Sequence, residues 1–75
     1  MAILVDYLKV REDSREVEYV FGYPTTDRRL VIEKASQTGR PLDGMENLPY
    51  RKAFAKIVRT HLTDDTWPER GMYAA

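Results

Sequence analysis

Alternating apolar and polar residues predict three strands in the first half of the chain. The segment Ala2 to Glu12 carries apolar residues at both odd and even positions, so we expect both faces of this strand to be partly buried near its start. The segment Glu16 to Tyr23 alternates most regularly, with one face formed by Val17, Tyr19, Phe21 and Tyr23. A third strand is expected over Arg29 to Ala35, and the short links between the strands favour an antiparallel meander.

Apolar residues at helical spacing follow in the second half of the chain. The helix is expected to begin near Pro49, with Asn47 or Leu48 at the N-cap. It is expected to run to about Leu62, because the acidic residues beyond that point oppose the helix dipole and Pro68 interrupts the helix. Its predicted apolar face consists of Tyr50, Phe54, Ile57, Val58 and His61, with Ala53 and Leu62 at the borders.

Two further segments flank the helix. Ser36 to Asn47 lacks periodicity and contains glycine and proline, so it is expected to be a loop. The tail from Trp67 to Ala75 is expected to pack back on the domain or on another subunit, because its large apolar side chains are rarely left in water. Residues 1–75 are therefore predicted to be one small α+β domain. It consists of a three-stranded antiparallel meander packed by one C-terminal amphipathic helix (β-β-β-α), with a short ordered tail.

Length and composition limit the classes of function. The chain has 75 residues, too few for a second hydrophobic core, and it has no cysteine, which excludes disulfides, zinc–thiolate sites and thiol nucleophiles. Its 12 basic and 12 acidic residues argue against a generally basic nucleic-acid binder, although not against a local basic patch. No apolar run is long enough to span a bilayer and no charged leader precedes the first strand, so the expected location is the cytoplasm.

Self-association is expected from the number of apolar residues. A single helix covers one face of a three-stranded sheet and leaves the other face open, while the first strand and the tail carry further apolar groups. We predict a homodimer, formed across the free sheet face or by pairing of first strands. The alternative is a monomer in which the tail alone covers these groups.

The predicted helix carries four basic residues and no acidic residue between Leu48 and Leu62: Arg51, Lys52, Lys56 and Arg59. They are candidate contacts to nucleic-acid phosphates or to an acidic protein surface. The favoured alternative is an ordinary solvated helix face, because no aromatic residue interleaves them to stack on bases.

The predicted loop contains a second candidate binding group. Arg40 has the geometry to form a bidentate contact with a carboxylate or phosphate of a ligand or partner, and Asp43 is the other candidate residue. Arg40 and Asp43 would equally pair with each other inside the loop. The segment lacks the residue order of a phosphate-binding loop.

His61 is the single histidine, and no nucleophile stands at a recognisable spacing from it. It is expected to be a partly buried ring, hydrogen-bonded to a carbonyl or to Asp64 or Asp65. As a set, His61, Asp64, Asp65 and Glu69 match no metal-ligand spacing, and the acidic residues are interpreted as a solvated turn. We therefore predict no catalytic residue, no metal and no cofactor, and an enzyme is the least favoured class.

The aromatic residues of the second strand have two interpretations. Tyr19, Phe21 and Tyr23 would bind an extended peptide or bases if their sheet face were open. The favoured interpretation is a core beneath the helix.

The stretch VEYVFGYPTTDRRLVIEKA, from Val17 to Ala35, and the ending WPERGMYAA resemble small actinobacterial proteins of unassigned function. This resemblance covers about half the chain and implies a cytosolic bacterial protein, without a catalytic motif to transfer. The small accessory proteins of non-ribosomal peptide synthetases share a three-stranded sheet with a helix. This chain lacks their Trp-rich signature, because Trp67 is its single tryptophan.

These observations predict a non-enzymatic protein-interaction module that is homodimeric and binds another protein through the Ser36–Asn47 loop or an exposed aromatic patch. The alternative is an accessory nucleic-acid-binding protein that uses the basic face of the helix.

Overall fold

A computed structural model describes residues 4–74, which form an antiparallel five-stranded sheet with one helix against it. In chain order these are β1 (Leu4–Glu12), β2 (Glu16–Gly22), β3 (Arg28–Glu33), β4 (Thr38–Pro41), α1 (Leu48–Asp64) and β5 (Arg70–Ala74). The predicted α+β class and antiparallel pairing are confirmed, but the predicted number of three strands is wrong. The first two residues of the predicted first strand, Ala2 and Ile3, lie outside the described residues. Within residues 4–74 no helix is long and apolar enough to cross a membrane.

The order of strands across the sheet is β4-β3-β2-β1-β5. The first four strands form a meander, and the chain then crosses through α1 and returns to pair β5 with β1. Leu8 of β1 therefore stands opposite Val20 of β2 on one side and Arg70 of β5 on the other. Residues 6–8 of β1 are paired on both sides, so this part of the first strand has no free edge for pairing with a second subunit. The free edges of the sheet belong to β4 and β5.

β4 occupies part of the segment that was predicted to be a loop. Thr38–Pro41 pairs with β3, and Gly39 stands opposite Ile32. Glycine and proline occupy half of this short strand, so the alternation of residues gives no strand signal. Position 39 requires glycine because there is no room for a side chain: a Cβ atom there would lie 2.6 Å from Cε1 of Phe54 on α1.

The tail packs on its own domain, as one of the two expected arrangements. Trp67 is 8% exposed, and the Tyr19 hydroxyl donates a hydrogen bond to the Pro68 carbonyl at 2.6 Å. β5 follows, with Gly71 opposite Tyr7. A Cβ atom at Gly71 would lie 2.6 Å from Cζ of Tyr7, so the absence of a side chain allows the tyrosine ring to pass under β5.

The core lies between α1 and one face of the sheet, which we call the inner face. The sheet contributes Val5, Tyr7, Val17, Tyr19, Phe21, Leu30 and Ile32, and the buried helix residues are Tyr50, Ala53 and Ile57. The predicted apolar face of the helix is therefore rotated. Ala53, expected at a border, is fully buried, whereas Leu62 at the other border is 66% exposed. Asn47 is the N-cap, as predicted, and the helix ends at Asp64.

The aromatic residues of β2 are core residues, which was the favoured interpretation. Tyr19 and Phe21 are both 0% exposed beneath α1. Tyr23 was expected on the same face, but β2 ends at Gly22, whose φ of +144° turns the chain away. Tyr23 is consequently 57% exposed, as an isolated aromatic side chain rather than part of a patch.

Candidate functional site

Three cations of α1 line a groove between the helix and the free edge of β5. Lys52, Lys56 and Arg59 are separated by four and three residues, so they project from one side of the helix. The opposite wall is formed by residues 72–74 of β5, and the small side chain of Ala55 leaves room between the cations. The enclosed volume is about 450 Å³. We call this region the basic groove.

The cations of the basic groove have no acidic partner among residues 4–74. Six of the 12 basic side chains have a carboxylate oxygen of residues 4–74 within 4.0 Å, but Lys52, Lys56 and Arg59 are not among them. Lys52 Nζ instead lies 5.3 Å from the centroid of the Tyr73 ring on β5. The basic groove is therefore a local concentration of positive charge on a chain whose net charge is zero.

Arg51 does not join the basic groove. Successive residues are about 100° apart around a helix, and Arg51 consequently projects toward the β4 side of α1. There it lines a separate depression of about 390 Å³ together with Gly39, Glu46 and Phe54. Of the four cations that the sequence places on one face, the structure brings three together.

Asp43 is bound within the fold by a residue that the sequence analysis did not single out. Arg28 donates two hydrogen bonds to the carboxylate of Asp43, at 2.8 and 3.1 Å. It also donates to Asn47 Oδ1 at 2.8 Å and to the Met45 carbonyl at 2.7 Å. The pKa of Asp43 is lowered to about 2, mainly by the hydrogen bonds from Arg28 and to a smaller extent by the hydrogen bond from the Met45 amide. Asp43 therefore holds the loop before α1 in place, and the pair with Arg40 is not formed.

Arg40 belongs to a network of ion pairs on the outer face of the sheet, the face away from α1. Its guanidinium lies 4.0 Å from the carboxylate of Glu16. Arg11 contacts Glu16 and Glu18 at 3.2 Å each, and Arg29 contacts Glu18 at 2.8 Å. These charges neutralise one another across β1 to β4, so this half of the outer face needs no partner to satisfy them.

The other half of the outer face, over β1 and β5, carries exposed apolar side chains. Leu8 and Met72 are 44% and 51% exposed, while Leu4 and Val20 beside them are half-buried. We call these four residues the outer patch. Near the start of β1 both faces are at least partly buried, as predicted, since Leu4 and Asp6 on the outer face are half-buried, but from Leu8 onward the outer face is exposed. The tail does not cover this face, because β5 extends the sheet sideways and adds Met72 to the outer patch.

Two charged residues of opposite sign accompany the outer patch. Asp6 stands opposite Met72, and Arg70 stands opposite Leu8. Neither has an ion-pair partner within the described range of the chain. Together with Leu8 and Met72 they line a shallow depression of about 480 Å³. This region thus brings an acidic side chain, a basic side chain and an apolar surface together within one small area.

His61 is a stacking residue in this fold. Its ring lies 3.9 Å, centroid to centroid, from the ring of Trp67, and the two planes are 6° apart. Its Nδ1 atom is buried without a hydrogen-bond partner among residues 4–74, so the predicted bond to a carbonyl or to a neighbouring aspartate is not formed at this atom. Within the same residues no group of three or more histidine or acidic side chains is arranged to hold a metal ion.

Lys9 fastens the chain that follows α1. Its Nζ lies 2.6 Å from Glu12 and 3.2 Å from Glu69, and it donates to the Trp67 carbonyl at 3.4 Å. The hydrogen bond with Glu12 is the main reason that the pKa of Lys9 is raised. These contacts position the start of β5 beside β1, and with it one wall of the basic groove.

Comparison with known proteins adds no relative from which a function can be transferred. No family model, no curated protein and no solved structure matches this chain. The resemblance to small actinobacterial proteins therefore stays a prediction. The surfaces described above, the basic groove and the outer patch, are the basis for the proposals that follow.

Proposed function

We propose that the protein is a non-enzymatic interaction module that forms a homodimer through the outer patch. The observation that supports this proposal is the exposure of Leu8 and Met72 on a sheet face that neither the helix nor the tail covers. Exposed apolar side chains accompanied by charged ones, here Asp6 between Leu4 and Leu8 and Arg70 opposite Leu8, are typical of a protein–protein contact. The two surfaces suggested by the sequence are less suitable, because Asp43 and Asn47 are bound by Arg28 and the aromatic residues of β2 are buried.

A second copy of this chain is the partner that the charges favour. In a two-fold dimer the same patch is used by both subunits, so a patch must be complementary to itself. Asp6 and Arg70 supply one charge of each sign, and a two-fold axis near Met72 would bring Asp6 of one subunit to the partner's Arg70. A standard interface hides about 800 Å² per subunit, against a total surface of 4861 Å². Only two of the four side chains of the outer patch are largely exposed, so we expect a weak dimer with a dissociation constant in the micromolar range.

Light scattering across a concentration series tests this proposal. The molar mass should rise from the monomer value of 8.8 kDa toward twice that value as the concentration increases. Leu8→Glu and Met72→Glu should each keep the mass at the monomer value, because they place a carboxylate in an apolar contact. Leu62→Glu is the matched control, since it makes the same change at an exposed leucine on the helix and should leave the dimer intact.

A charge exchange tests the orientation of the two subunits. Asp6→Arg and Arg70→Asp should each weaken the dimer, and the double variant should restore it, because opposite charges then face each other again. A chain that stays monomeric at every concentration contradicts the proposal. So does a dimer whose mass is unchanged by Leu8→Glu.

Nucleic-acid binding is the second candidate function, and the basic groove is the observation that favours it. Three cations without acidic partners in residues 4–74 would neutralise successive phosphates. Binding of this kind should weaken strongly as salt is raised, and Lys56→Glu should weaken it further. A fluorescently labelled single-stranded oligonucleotide measures both effects by anisotropy.

A further inference from the structure

The free edge of β5 carries main-chain groups that are available for pairing. The amide of Lys9 donates to the carbonyl of Glu69 at 2.7 Å, and the same register continues along β5. In an antiparallel ladder, opposite residues alternate between hydrogen-bonded and non-hydrogen-bonded pairs. The amide and carbonyl groups of every second β5 residue therefore point away from β1. These residues are Arg70, Met72 and Ala74.

The two free edges of the sheet differ in their ability to accept another strand. β4 is four residues long and ends in Pro41, which has no amide to donate. Shortness and proline are common ways of protecting an edge from pairing. β5 contains no proline and has five residues in strand conformation. The edge of β5 is therefore the one suited to receive a sixth strand.

The basic groove lies beside this edge on the inner side of the sheet. A strand added to β5 would lie about 4.8 Å further out, and its alternate side chains would project toward the basic groove about every 6.7 Å. Lys52 and Arg59, the outermost of the three cations, are seven residues apart, which is about 10 Å along the helix axis. Two or three alternate side chains of an added strand match that length. Acidic side chains at those positions would meet cations that lack carboxylate partners within residues 4–74.

A second copy of this chain is a poor occupant of the same edge. Antiparallel pairing of two β5 strands would place both helices on one face of a continuous sheet. Lys52, Lys56 and Arg59 of one subunit would then face the same three residues of the other across the two-fold axis. Like charges brought together in this way oppose association.

Nucleic acid fits the charge of the basic groove but not the edge of the strand. Phosphates accept hydrogen bonds and donate none, so they would leave the outward carbonyls of β5 unpaired. Tyr73, the aromatic residue of the groove wall, is half-buried beneath Lys52 and is not presented for base stacking. A peptide supplies both a donor and an acceptor at each alternate residue.

We propose that β5 and the basic groove bind an extended acidic peptide as a sixth strand, with acidic residues at every second position facing Lys52, Lys56 and Arg59. Main-chain hydrogen bonds to the β5 edge would provide the alignment, and the cations would select the acidic side chains. This inference does not depend on the proposed dimer, because the cations that select the peptide lie on the inner side of the sheet and the outer patch on the other, although Met72 lines both regions.

Fluorescence anisotropy with a designed peptide of about eight residues, alternating valine and glutamate, tests the proposal on the full chain. Replacement of the glutamates by glutamine should weaken binding about tenfold or more. Two methylated peptides are compared, one with methyl groups on the main-chain nitrogens of the odd residues and the other on those of the even residues. Both keep every charge, but only one of the two sets of nitrogens donates to β5, and methylation of that set should abolish binding. Lys52→Ala and Lys56→Ala should each weaken binding about two- to fivefold, the range of an exposed ion pair.

Arg51→Glu is the matched control for Lys56→Glu, since both variants make the same change of charge on the same helix. Lys56→Glu should weaken binding about tenfold or more, and Arg51→Glu should change it less than about twofold. Equal binding of both methylated peptides, or equal effects of the two protein variants, would show non-specific attraction and overturn the proposal. Absence of peptide binding, or displacement of the peptide by a single-stranded oligonucleotide at lower concentration than by unlabelled peptide, would also overturn it. Light scattering on the same samples reports the dimer separately, so failure of one proposal is distinguishable from failure of the other.

Discussion

Substitution of Gly71 by alanine tests the position of β5 in the fold. The backbone of Gly71 is not in the left-handed region, so alanine meets no conformational obstacle there. On an open strand the change would stabilise the protein by about 0.4–1 kcal/mol, because it restricts the unfolded chain. In this structure the added Cβ would lie 2.6 Å from Cζ and 3.1 Å from Cε2 of Tyr7. Because Tyr7 is only 3% exposed and packs edge-on against Tyr19 at 5.8 Å between ring centroids, its ring has little room to move.

We therefore expect Gly71→Ala to destabilise the protein by about 1–3 kcal/mol, the usual cost of overpacking a core. For a domain of this size the melting temperature should fall by about 5–20 °C in a circular-dichroism scan. In a Tyr7→Leu background, where the ring is absent, the same substitution should cost at least about 1 kcal/mol less. A melting temperature that rises with Gly71→Ala, or an equal loss in both backgrounds, would refute the placement of β5 over Tyr7.

Three further predictions follow from burial and charge. Ile57→Ala should lower the free energy of unfolding in urea by about 2–5 kcal/mol, whereas Leu62→Ala, at a 66% exposed position, should change it by less than about 0.5 kcal/mol. The pKa of Asp43 falls from 3.8 to about 2 on folding, so the ionised carboxylate stabilises the fold above pH 4 and this contribution is lost between pH 4 and 2. Asp43→Asn should therefore flatten an acid-unfolding profile in that range. Burial raises the pKa of Tyr19, so stability should fall above pH 10, and Tyr19→Phe should cost about 1 kcal/mol at neutral pH through loss of the bond to Pro68.

The elements that could be predicted from the sequence are those whose own residues form the core. β1, β2, β3 and α1 each bury a periodic row of apolar side chains, and that row is visible in the sequence. β4 and β5 differ, because glycines in them receive large side chains from elsewhere: the ring of Phe54 lies against Gly39, and that of Tyr7 against Gly71. A pattern within one segment does not show which distant ring fills its space.

The same distinction applies to the candidate sites. The spacing of Lys52, Lys56 and Arg59 places them on one side of a helix, and that much was available from the sequence. The wall opposite them is β5, whose position depends on pairing between distant segments. Arg28 shows most clearly which contacts could not be predicted from the sequence. It binds Asp43, 15 positions away, and its role in closing the loop before α1 depends on the register between β2 and β3.

The pairing of β1 with β5 has a kinetic consequence. Residues 4–8 meet residues 70–74, so this ladder closes a loop that contains almost the whole domain, and its entropic cost must be met before any of its hydrogen bonds form. The hairpins of the meander close short loops and are expected to form first, with β5 joining last. By the same reasoning β5 should be the first strand to detach in brief sub-global openings, and its amides should exchange with solvent faster than those of β2. A peptide held along the outer edge of β5 would then slow hydrogen exchange within the β1–β5 ladder, although it touches none of the bonds in that ladder.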